Sequence, residues 1–300
     1  MDNTKKIGVH MNIIRLKAYA KINLGLDVVR KRADGYHEVR MIMQTIGLYD
    51  KVTLSRMNNT GISLRTNLHY LPTDENNLVY KAVSLLKKEY NISQGVLIHL
   101  EKKIPVAAGM AGGSSDAAAA LYGMNRLFQL KISQKELMDL GLRLGADVPY
   151  CLLRGTALSE GIGEELTPLP PFPGCYVLIV KPGINVSTKY VYENLHLNEA
   201  IVHPDIDGIV SCIKEKDLYG ACEKFGNVLE SVTVKDYPII EEIKTAMRNT
   251  GCITSLMSGS GPTVFGLYDD RKKAERAFYQ FKISNLGKQV FLTSLYQPSY

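Results

Sequence analysis

The sequence predicts an α+β protein of two domains, and three features of the chain support this fold class. A glycine-rich segment separates an apolar run at 96–100 from an alanine-rich segment at 115–128, which predicts a strand, a turn and a helix in that order. Four prolines fall within residues 166–173, where we expect the boundary between the domains. Beyond it, residues 238–281 follow the order helix, strand, strand, helix, which is typical of a split βαβ or ferredoxin-like unit.

The first strand is predicted by an alternation of apolar and polar side chains over residues 18–27. Its apolar face consists of Ala18, Ala20, Ile22, Leu24 and Leu26. Lys21 and Asn23 lie two residues apart and are expected together on the opposite, polar face. The next expected elements are a turn at 33–35 and strands at 38–48 and 51–55.

Capping residues and apolar spacing predict the helices. Residues 78–90 form an amphipathic pattern, with Asn76 or Asn77 as the N-cap. Ser133 and Glu136 form a capping box that opens a further helix, which Gly145 ends. The remaining predicted elements are a strand at 176–180, a helix at 238–248, strands at 252–257 and 263–268, and a helix at 271–281.

The composition argues against several classes of protein. The chain has 300 residues, of which 45% are hydrophobic, and none of its apolar runs reaches the length of a membrane span. Its formal charge of +6 suits anionic substrates without requiring nucleic acid. The five cysteines are scattered and form no C-x-x-C pair, so we expect reduced thiols in a cytoplasmic protein; they are Cys151, Cys175, Cys212, Cys222 and Cys252.

The most informative segment is the glycine-rich turn before the predicted helix at 115–128. Backbone N–H groups and the positive end of a helix dipole would meet there, and small side chains would let a phosphate approach them. The turn lacks the Gly-Lys pair of a Walker loop and the spacing of a dinucleotide fingerprint. We interpret it either as a phosphate-binding loop of a third kind or as a turn that packs a helix closely on a sheet. Its residues are Pro105, Val106, Ala107, Ala108, Gly109, Met110, Ala111, Gly112, Gly113, Ser114 and Ser115.

Lys21 and Asp147 are the candidate catalytic residues. Phosphoryl transfer to an alcohol needs charge neutralisation and a carboxylate that receives the hydroxyl proton. Together with a phosphate loop, an aspartate just after a helix end suits the role of proton acceptor, and a lysine beside that carboxylate would keep it ionised and orient it. In the alternative interpretation, Lys21 is a solvated surface residue and Asp147 only forms an Asx-turn.

Two shorter motifs each have two interpretations. The turn at 258–262 either offers further N–H donors to a phosphate or is only a hairpin between two strands. Tyr36 and His37 follow Gly35 and either pack as a structural pair or bind a flat heterocycle by stacking and hydrogen bonding.

Three motifs in chain order resemble those of the GHMP kinases, a family that includes galacto-, homoserine, mevalonate and phosphomevalonate kinases. They are Ala-Lys-Ile-Asn-Leu at 20–24, the glycine-rich segment at 105–115 with Met-Ala-Gly-Gly at its centre, and Leu-Met-Ser-Gly-Ser-Gly-Pro at 256–262. The segments at 32–38, 144–149 and 226–233 are similar to those of members that act on a CDP-linked methylerythritol.

The resemblance implies both a fold and a reaction. Residues 11–165 would form an ATP-binding domain like domain 2 of ribosomal protein S5, residues 166–300 a ferredoxin-like GHMP C-terminal domain, and residues 1–10 a disordered extension or an expression scar. The reaction would be ATP-dependent phosphorylation of the 2-hydroxyl of the CDP-linked methylerythritol, in non-mevalonate isoprenoid biosynthesis. The enzyme would be a cytoplasmic monomer or weak homodimer that binds neither nucleic acid nor membrane.

The resemblance also implies roles for single residues. Lys21 and Asp147 would be the catalytic pair, and ATP would bind the loop at 105–115 together with Asn77 and Lys102. Mg²⁺ would arrive with ATP, near Ser115, and the sequence singles out no acidic metal ligand. The methylerythritol end would bind Asn23 and Thr188, the cytosine would bind Tyr36, His37 and Tyr192, and Ser258 and Gly259 would also contact the substrate.

Two other functions remain open at this point. The first keeps the fold and changes the substrate to homoserine or a mevalonate derivative. The second is a non-catalytic nucleotide or RNA binder, which the short basic clusters at 30–32 and 271–273 favour little.

Overall fold

The computed structural model describes residues 12–198 and 201–298, so the prediction for residues 1–10 lies outside the described residues. The strands are β1 (Ile13–Lys31), β2 (His37–Met57), β3 (Ile62–Thr66), β4 (Gly95–Glu101), β5 (Thr156–Glu160), β6 (Glu165–Pro168), β7 (Tyr176–Lys181), β8 (Thr254–Met257), β9 (Val264–Tyr268) and β10 (Gln289–Ser294). The helices are α1 (Leu78–Glu89), α2 (Gly112–Phe128), α3 (Gln134–Leu142), α4 (Asp147–Leu153), α5 (Thr188–Glu193), α6 (Ile206–Glu215), α7 (Leu218–Glu223), α8 (Glu230–Asp236), α9 (Ile239–Asn249) and α10 (Arg271–Ile283).

The first sheet is built around β2, which has β1 along one edge. On the other edge β2 pairs with β4 at one end and with β5 at the other, and β3 and β6 complete the sheet. The prediction of two strands at 38–48 and 51–55 was wrong, because β2 runs through without a turn. Tyr49 and Asp50 keep their pairing with Tyr19 and Ala18, so the ladder continues across the expected break.

The second sheet has the strand order β10-β7-β9-β8, and all its neighbours are antiparallel. Together with α9 and α10 this is the order of a ferredoxin-like βαββαβ unit, which confirms that part of the fold class. Strand β10 had no counterpart in the sequence-based prediction. Because β6 still pairs with β5 as far as Pro168, the domain boundary at 166 stays a prediction.

Strand β1 is buried on both faces between residues 20 and 26, so Lys21 and Asn23 share a face as expected but do not lie on the exposed side of a half-buried strand. Lys21 is 5% exposed and Asn23 is 0% exposed. Irregularities in the pairing with β2 fall between residues 19 and 21 and between residues 23 and 25. They rotate the strand, so that the even-numbered apolar residues divide between two hydrophobic clusters instead of sharing one face.

The second half of the chain is bonded directly to β1 through residues 226–228, which lie between α7 and α8 and belong to neither sheet. The N–H of Leu26 donates to the carbonyl of Gly226 at 2.9 Å, and the N–H of Val228 donates to the carbonyl of Leu26 at 3.0 Å. A second bridge joins Ile46 to Leu295. These bonds fix residues 226–228, from the second half of the chain, beside the strand that carries Lys21.

Side-chain caps open two helices as predicted. Asn77 Oδ1 accepts the N–H of Val79 at 3.0 Å before α1, and Ser133 Oγ accepts the N–H of Glu136 at 3.2 Å before α3. The capping box is one-sided, because the Glu136 carboxylate accepts the hydroxyl of Tyr90 at 2.6 Å. None of the helices in the described part of the chain is long and apolar enough to cross a membrane.

Candidate active site

The glycine-rich loop leads into α2 at the wall of a cavity of about 570 Å³. The helix begins at Gly112, and its N-cap Ala111 has a left-handed backbone (φ +53°) and no side-chain hydrogen bond. Ser114 and Ser115 therefore do not cap the helix. The N–H groups of its first turn have no partner within the helix, and the positive end of the helix dipole lies at the same place.

The second glycine turn packs on this loop. Ser258 Oγ donates to the carbonyl of Gly109 at 2.9 Å. A Cβ at Gly109, where φ is +69°, would stand 2.0 Å from the Ser258 carbonyl oxygen. Asn227 Nδ2 in turn donates to the carbonyls of Met257 and Gly259, both at 2.8 Å. The two turns therefore form one unit that only glycine at 109 permits.

Strand β1 holds the loop from the other side. The N–H of Lys21 donates to the carbonyl of Met110 at 3.2 Å, and Ser115 Oγ donates to the carbonyl of Tyr19 at 2.7 Å. Both loop residues are buried, at 1% and 3% exposure. They fix the loop against the strand, and their side chains do not line the cavity.

Lys21 and Asp147 meet at the cavity. Lys21 Nζ lies 3.8 Å from Asp147 Oδ2 and donates to Asn23 Oδ1 at 2.7 Å. Asp147 is the first residue of α4, a helix that the sequence did not predict, and its side chain is 34% exposed. A buried ammonium, fixed by an amide oxygen, thus stands beside a carboxylate that solvent or a ligand can reach.

A buried charge network lies behind the loop. Lys102 Nζ contacts Asp50 Oδ2 at 2.5 Å and Asp116 Oδ2 at 2.6 Å, and Asp50 Oδ1 also accepts the N–H groups of Lys103 and Ile104. Burial raises the pKa of Asp116 well above its usual range, although Lys102 opposes this shift. Burial lowers the pKa of Lys102, but the two carboxylates outweigh it and the net shift is upward. Asp116 Oδ1 is buried and has no hydrogen-bond partner among the described residues.

One end of the cavity is bordered by the start of α1. Asn77 lines it, but its Nδ2 donates to the carbonyl of Pro72 at 2.9 Å while its Oδ1 caps the helix. Leu71, Leu78 and Leu100 give this end an apolar wall. The Asn77 side chain therefore shapes the cavity with its polar atoms already engaged.

The other end contains hydroxyl and aromatic groups. Thr188 Oγ1 and Ser260 Oγ lie 2.8 Å apart, and the Tyr192 ring is tilted against His37 with 5.1 Å between ring centroids. Burial, with a smaller contribution from Lys31, lowers the pKa of His37. The imidazole is therefore neutral at pH 7 and offers one donor and one acceptor. Tyr36 is 61% exposed in the preceding turn.

The structure brings most of the predicted site residues to one cavity. Those that line it are Lys21, Asn77, Lys102, Pro105, Val106, Ala107, Ala108, Gly109, Ala111, Gly112, Gly113, Ser114, Asp147, Thr188, Tyr192 and Gly259. Those outside its lining are Asn23, Tyr36, His37, Met110, Ser115 and Ser258. Of these, Asn23 orients Lys21, and Met110, Ser115 and Ser258 hold the loop.

Sequence reasoning missed several residues of the site. Met41, Asp116 and Ser260 line the cavity, while Asp50 and Asn227 act from behind it. Ser260 and Asn227 lie in motifs that the sequence did single out, so the signal was present. Asp50 had none, because it pairs with Lys102 across 52 positions of the chain.

Family models match both halves of the chain. The GHMP kinases N terminal domain matches residues 77–155, and the GHMP kinases C terminal domain matches residues 222–285. The first match contains the glycine-rich loop and Asp147, and the second contains the turn at 258–262.

The chain is similar over nearly its full length to curated proteins called 4-diphosphocytidyl-2-C-methyl-D-erythritol kinase. The protein of Lachnoclostridium phytofermentans is 62% identical over 287 residues, which cover 96% of this chain and 99% of the relative. That of Lachnospira eligens is 54% identical, with 96% and 100% covered.

Solved structures agree with the fold. The crystal structure of a 4-(cytidine 5'-diphospho)-2C-methyl-D-erythritol kinase matches with a TM-score of 0.81 and 31% identity, covering 95% of this chain and 100% of the other. A homoserine kinase from Cytophaga hutchinsonii matches with a TM-score of 0.74, 20% identity and 96% of each chain covered. At this lower identity the second likeness concerns the fold alone.

Proposed function

The chain belongs to the GHMP kinases, and we propose that it transfers the γ-phosphoryl group of ATP to the 2-hydroxyl of 4-diphosphocytidyl-2-C-methyl-D-erythritol. The observation that carries the proposal is the convergence of Lys21, Asp147 and the N-terminus of α2 on one cavity. The identity of 62% and 54% to the kinases described above supports the choice of substrate.

The phosphates of ATP would bind at the glycine-rich loop. The first-turn N–H groups of α2 and its dipole attract an anion, and the glycines leave space for it. Lys21 would neutralise charge on the transferred group, because its ammonium is buried and Asn23 fixes its position. Since the loop is held by β1 and by Ser258, these groups need little rearrangement when ATP binds.

Asp147 would act as the general base. The acceptor hydroxyl oxygen forms a bond to the γ-phosphorus as the bond from that phosphorus to the β,γ-bridging oxygen breaks. The hydroxyl proton passes to the Asp147 carboxylate, and ADP leaves. A tertiary alcohol is crowded and weakly acidic, so alignment of hydroxyl and phosphate should contribute most of the rate enhancement.

The cytosine would bind at the aromatic end of the cavity. Tyr192 and His37 already contact each other, and the neutral imidazole can both donate to and accept from a base edge. Tyr36 would add a second ring from the exposed turn. Thr188 and Ser260 at this end, and Gly259 beside Gly109 of the loop, would contact the methylerythritol and the diphosphate.

One carboxylate oxygen that lines the cavity is suited to bind Mg²⁺. Asp116 Oδ1 is a buried carboxylate oxygen without a partner in the described part of the chain, and Mg²⁺ is commonly held by one or two carboxylates together with substrate phosphates. Asp116 would therefore be its protein ligand, and the ion would neutralise phosphate charge when bound. Ser115, expected near the ion, donates its hydroxyl to Tyr19 instead.

The remaining expectations concern the protein's surroundings. All five cysteines are free thiols, which supports a reducing compartment such as the cytoplasm. A monomer or weak homodimer without nucleic acid stays our prediction for its assembly.

Turnover by the purified protein tests the proposal. ATP is supplied with the CDP-linked methylerythritol, with mevalonate or with homoserine, and ADP release and the new phosphomonoester are measured, the latter by ³¹P NMR. We expect turnover only with the CDP-linked alcohol. Turnover of mevalonate or homoserine instead would refute the substrate, and RNA binding without any ATP turnover would refute the enzyme.

A further inference from the structure

A second cavity, of about 590 Å³, lies apart from the candidate active site and shares none of its lining residues among those described. It is bordered by the start of β1, by α2 and α3, by the end of α4 and by the residues after β10. Leu16, Leu137 and Leu152 contribute apolar surface to its wall. Its size lies within the range of about 300–1,000 Å³ that is typical of small-molecule sites.

The charged residues that line this second cavity are all basic in the described part of the chain. Arg15, Lys17 and Arg154 line it, and no aspartate or glutamate does so in the described ranges 12–198 and 201–298. None of the three cations forms an ion pair with a carboxylate of these ranges, whereas many other surface lysines and arginines do. Lys17 Nζ lies over the Tyr49 ring, 4.6 Å from its centroid, which leaves its charge without a carboxylate partner in the described ranges. Three such positive charges around a concave surface favour a ligand with more than one negative charge.

Aromatic rings stand beside these charges. Tyr19 and Tyr296 are stacked, with 4.0 Å between ring centroids and 19° between ring planes. The Arg154 guanidinium lies 5.6 Å from the centroid of Tyr19. Arg154 reaches this place with φ +66° and ψ −175°, a backbone region that is otherwise nearly confined to glycine. Backbone strain of this kind in a non-glycine residue is typical of active sites and ligand-binding positions.

The second cavity shares two elements with the active site. Strand β1 carries Tyr19 into this cavity and Lys21 into the other, with a pairing irregularity between them. Helix α4 begins with Asp147 and ends beside Arg154, whose N–H donates to the carbonyl of Tyr150 at 2.7 Å. A ligand that moves Tyr19 or Arg154 would therefore act on the 3.8 Å separation between Lys21 and Asp147.

We infer that the second cavity binds a small organophosphate with an aromatic or apolar body, and that its occupation changes turnover at the active site. The guanidinium groups would hold the phosphate, because their planar donors match its oxygens. The body would lie on the tyrosine pair or on the leucine wall. The binding follows from this cavity alone, whereas the effect on turnover rests on the proposed function.

Calorimetric titration tests the binding, with ADP present in excess so that the phosphate loop of the active site is filled. The probes are phenyl phosphate, butyl phosphate and inorganic phosphate. We expect one equivalent of an organic phosphate to bind at least about tenfold more tightly than inorganic phosphate, because the body adds apolar contact. A preference for phenyl over butyl phosphate would assign the body to the tyrosines, and the reverse would assign it to the leucines.

Arg15→Gln and Arg154→Gln are each expected to weaken this binding about tenfold, the usual effect of losing one charge-assisted bond. Arg65→Gln is the matched control, since Arg65 is an exposed cation on β3 outside both cavities. If Arg154→Gln fails to fold, Arg15→Gln, at an exposed position of β1, is sufficient alone. Turnover of the CDP-linked alcohol should change at least about fivefold when the bound probe saturates, and Arg15→Gln should abolish that response.

Different results would overturn the binding and the coupling separately. Binding no tighter than that of inorganic phosphate, or equal affinity of Arg15→Gln and the wild type, would remove the site. Binding with unchanged turnover would remove the coupling and leave the site. Absence of turnover without any probe would count against the proposed function and not against the second cavity.

Discussion

The two ends of the active-site cavity differ in how firmly the protein holds them before any ligand arrives. At the phosphate end, Lys21 is 5% exposed, and the loop is bonded to β1 and to the turn at 258–262. Beside the end proposed for the cytosine, Tyr36 lies outside the cavity lining and is 61% exposed, and its backbone bonds are made within its own turn, to Arg32 and Asp34. Lys21 and the phosphate loop are thus preorganised, whereas the Tyr36 ring, which we expect to recognise the base, can change its position.

This difference separates two kinds of kinetic effect. Changes at the phosphate end should lower kcat or destabilise the fold, because the charged side chains and the glycines there are held in fixed positions. Changes at the cytosine end should raise KM for the CDP-linked alcohol with little effect on kcat.

Asp147→Asn should lower kcat about 100- to 10,000-fold, because the amide cannot accept the hydroxyl proton. ADP affinity should not change, since the loop at 105–115 is untouched. Steady-state rates and ADP titration measure the two quantities. Asp139→Asn, on the exposed side of the neighbouring helix α3, is the control. A kcat within tenfold of the wild type would mean that Asp147 is not the base.

Gly109→Ala should destabilise the protein more than Gly251→Ala. Both positions have positive φ, at +69° and +81°, which costs about 1–2 kcal/mol for alanine. Only at Gly109 would the new Cβ also meet a carbonyl oxygen, that of Ser258 at 2.0 Å, which adds about 1–3 kcal/mol of overpacking. Urea unfolding measures the difference.

The same two glycine variants also distinguish an effect on ATP binding from an effect of backbone strain alone. KM for ATP should rise only in Gly109→Ala, because Gly251 has open space around it and lies outside the cavity. Equal losses of stability in the two variants would show that the two glycine turns do not hold each other.

Tyr36→Ala should raise KM for the CDP-linked alcohol about tenfold, since stacking on a base contributes about 1–3 kcal/mol. Its kcat and its KM for ATP should stay at the wild-type values. Tyr70→Ala, which removes a tyrosine that is 72% exposed elsewhere, controls for surface effects. A parallel rise in KM for ATP would remove Tyr36 from the cytosine site.

Asp116→Asn should change how stability depends on pH. The folded state raises the pKa of Asp116 by burial, so between about pH 4 and that raised pKa the Asp116 carboxyl binds more proton in the folded state than in the unfolded chain. The free energy of unfolding of the wild type should therefore fall as pH rises, relative to Asp116→Asn, which has no proton to lose. Unfolding in urea at pH 5 and pH 8 tests the sign. If the difference in free energy of unfolding between the wild type and Asp116→Asn were the same at both pH values, the pKa of Asp116 would not be raised by folding.

Local signals were enough to predict the parts of the fold that short segments specify. The order strand, glycine-rich turn, helix at 95–128, the Asn77 and Ser133 caps, and the strands around 258–262 all follow from neighbouring residues. The continuous β2 was missed because its pairing with β1 continues through residues 49–50, where the sequence was interpreted as a break between two strands. Helix α4 was missed because it is short and begins directly after the stop at Gly145.

The site also contains residues that local motifs predicted and residues that only the tertiary structure brings together. The motifs predicted the loop, Lys21 and Asp147, and the structure brings them to one cavity. The Asp50–Lys102 pair could not be predicted, because the two residues meet only when β2 and β4 align. Nor does a sequence show that Ser115 donates to Tyr19, since the direction of a hydroxyl depends on tertiary packing.

A crystal structure with a non-hydrolysable ATP analogue and the CDP-linked methylerythritol would show whether Lys21 and Asp147 meet at the reacting atoms. We expect the acceptor hydroxyl oxygen within hydrogen-bond distance of Asp147, about 2.6–3.2 Å, with Lys21 Nζ against the γ-phosphate. A hydroxyl directed away from Asp147, or a γ-phosphate outside the reach of Lys21, would contradict the account.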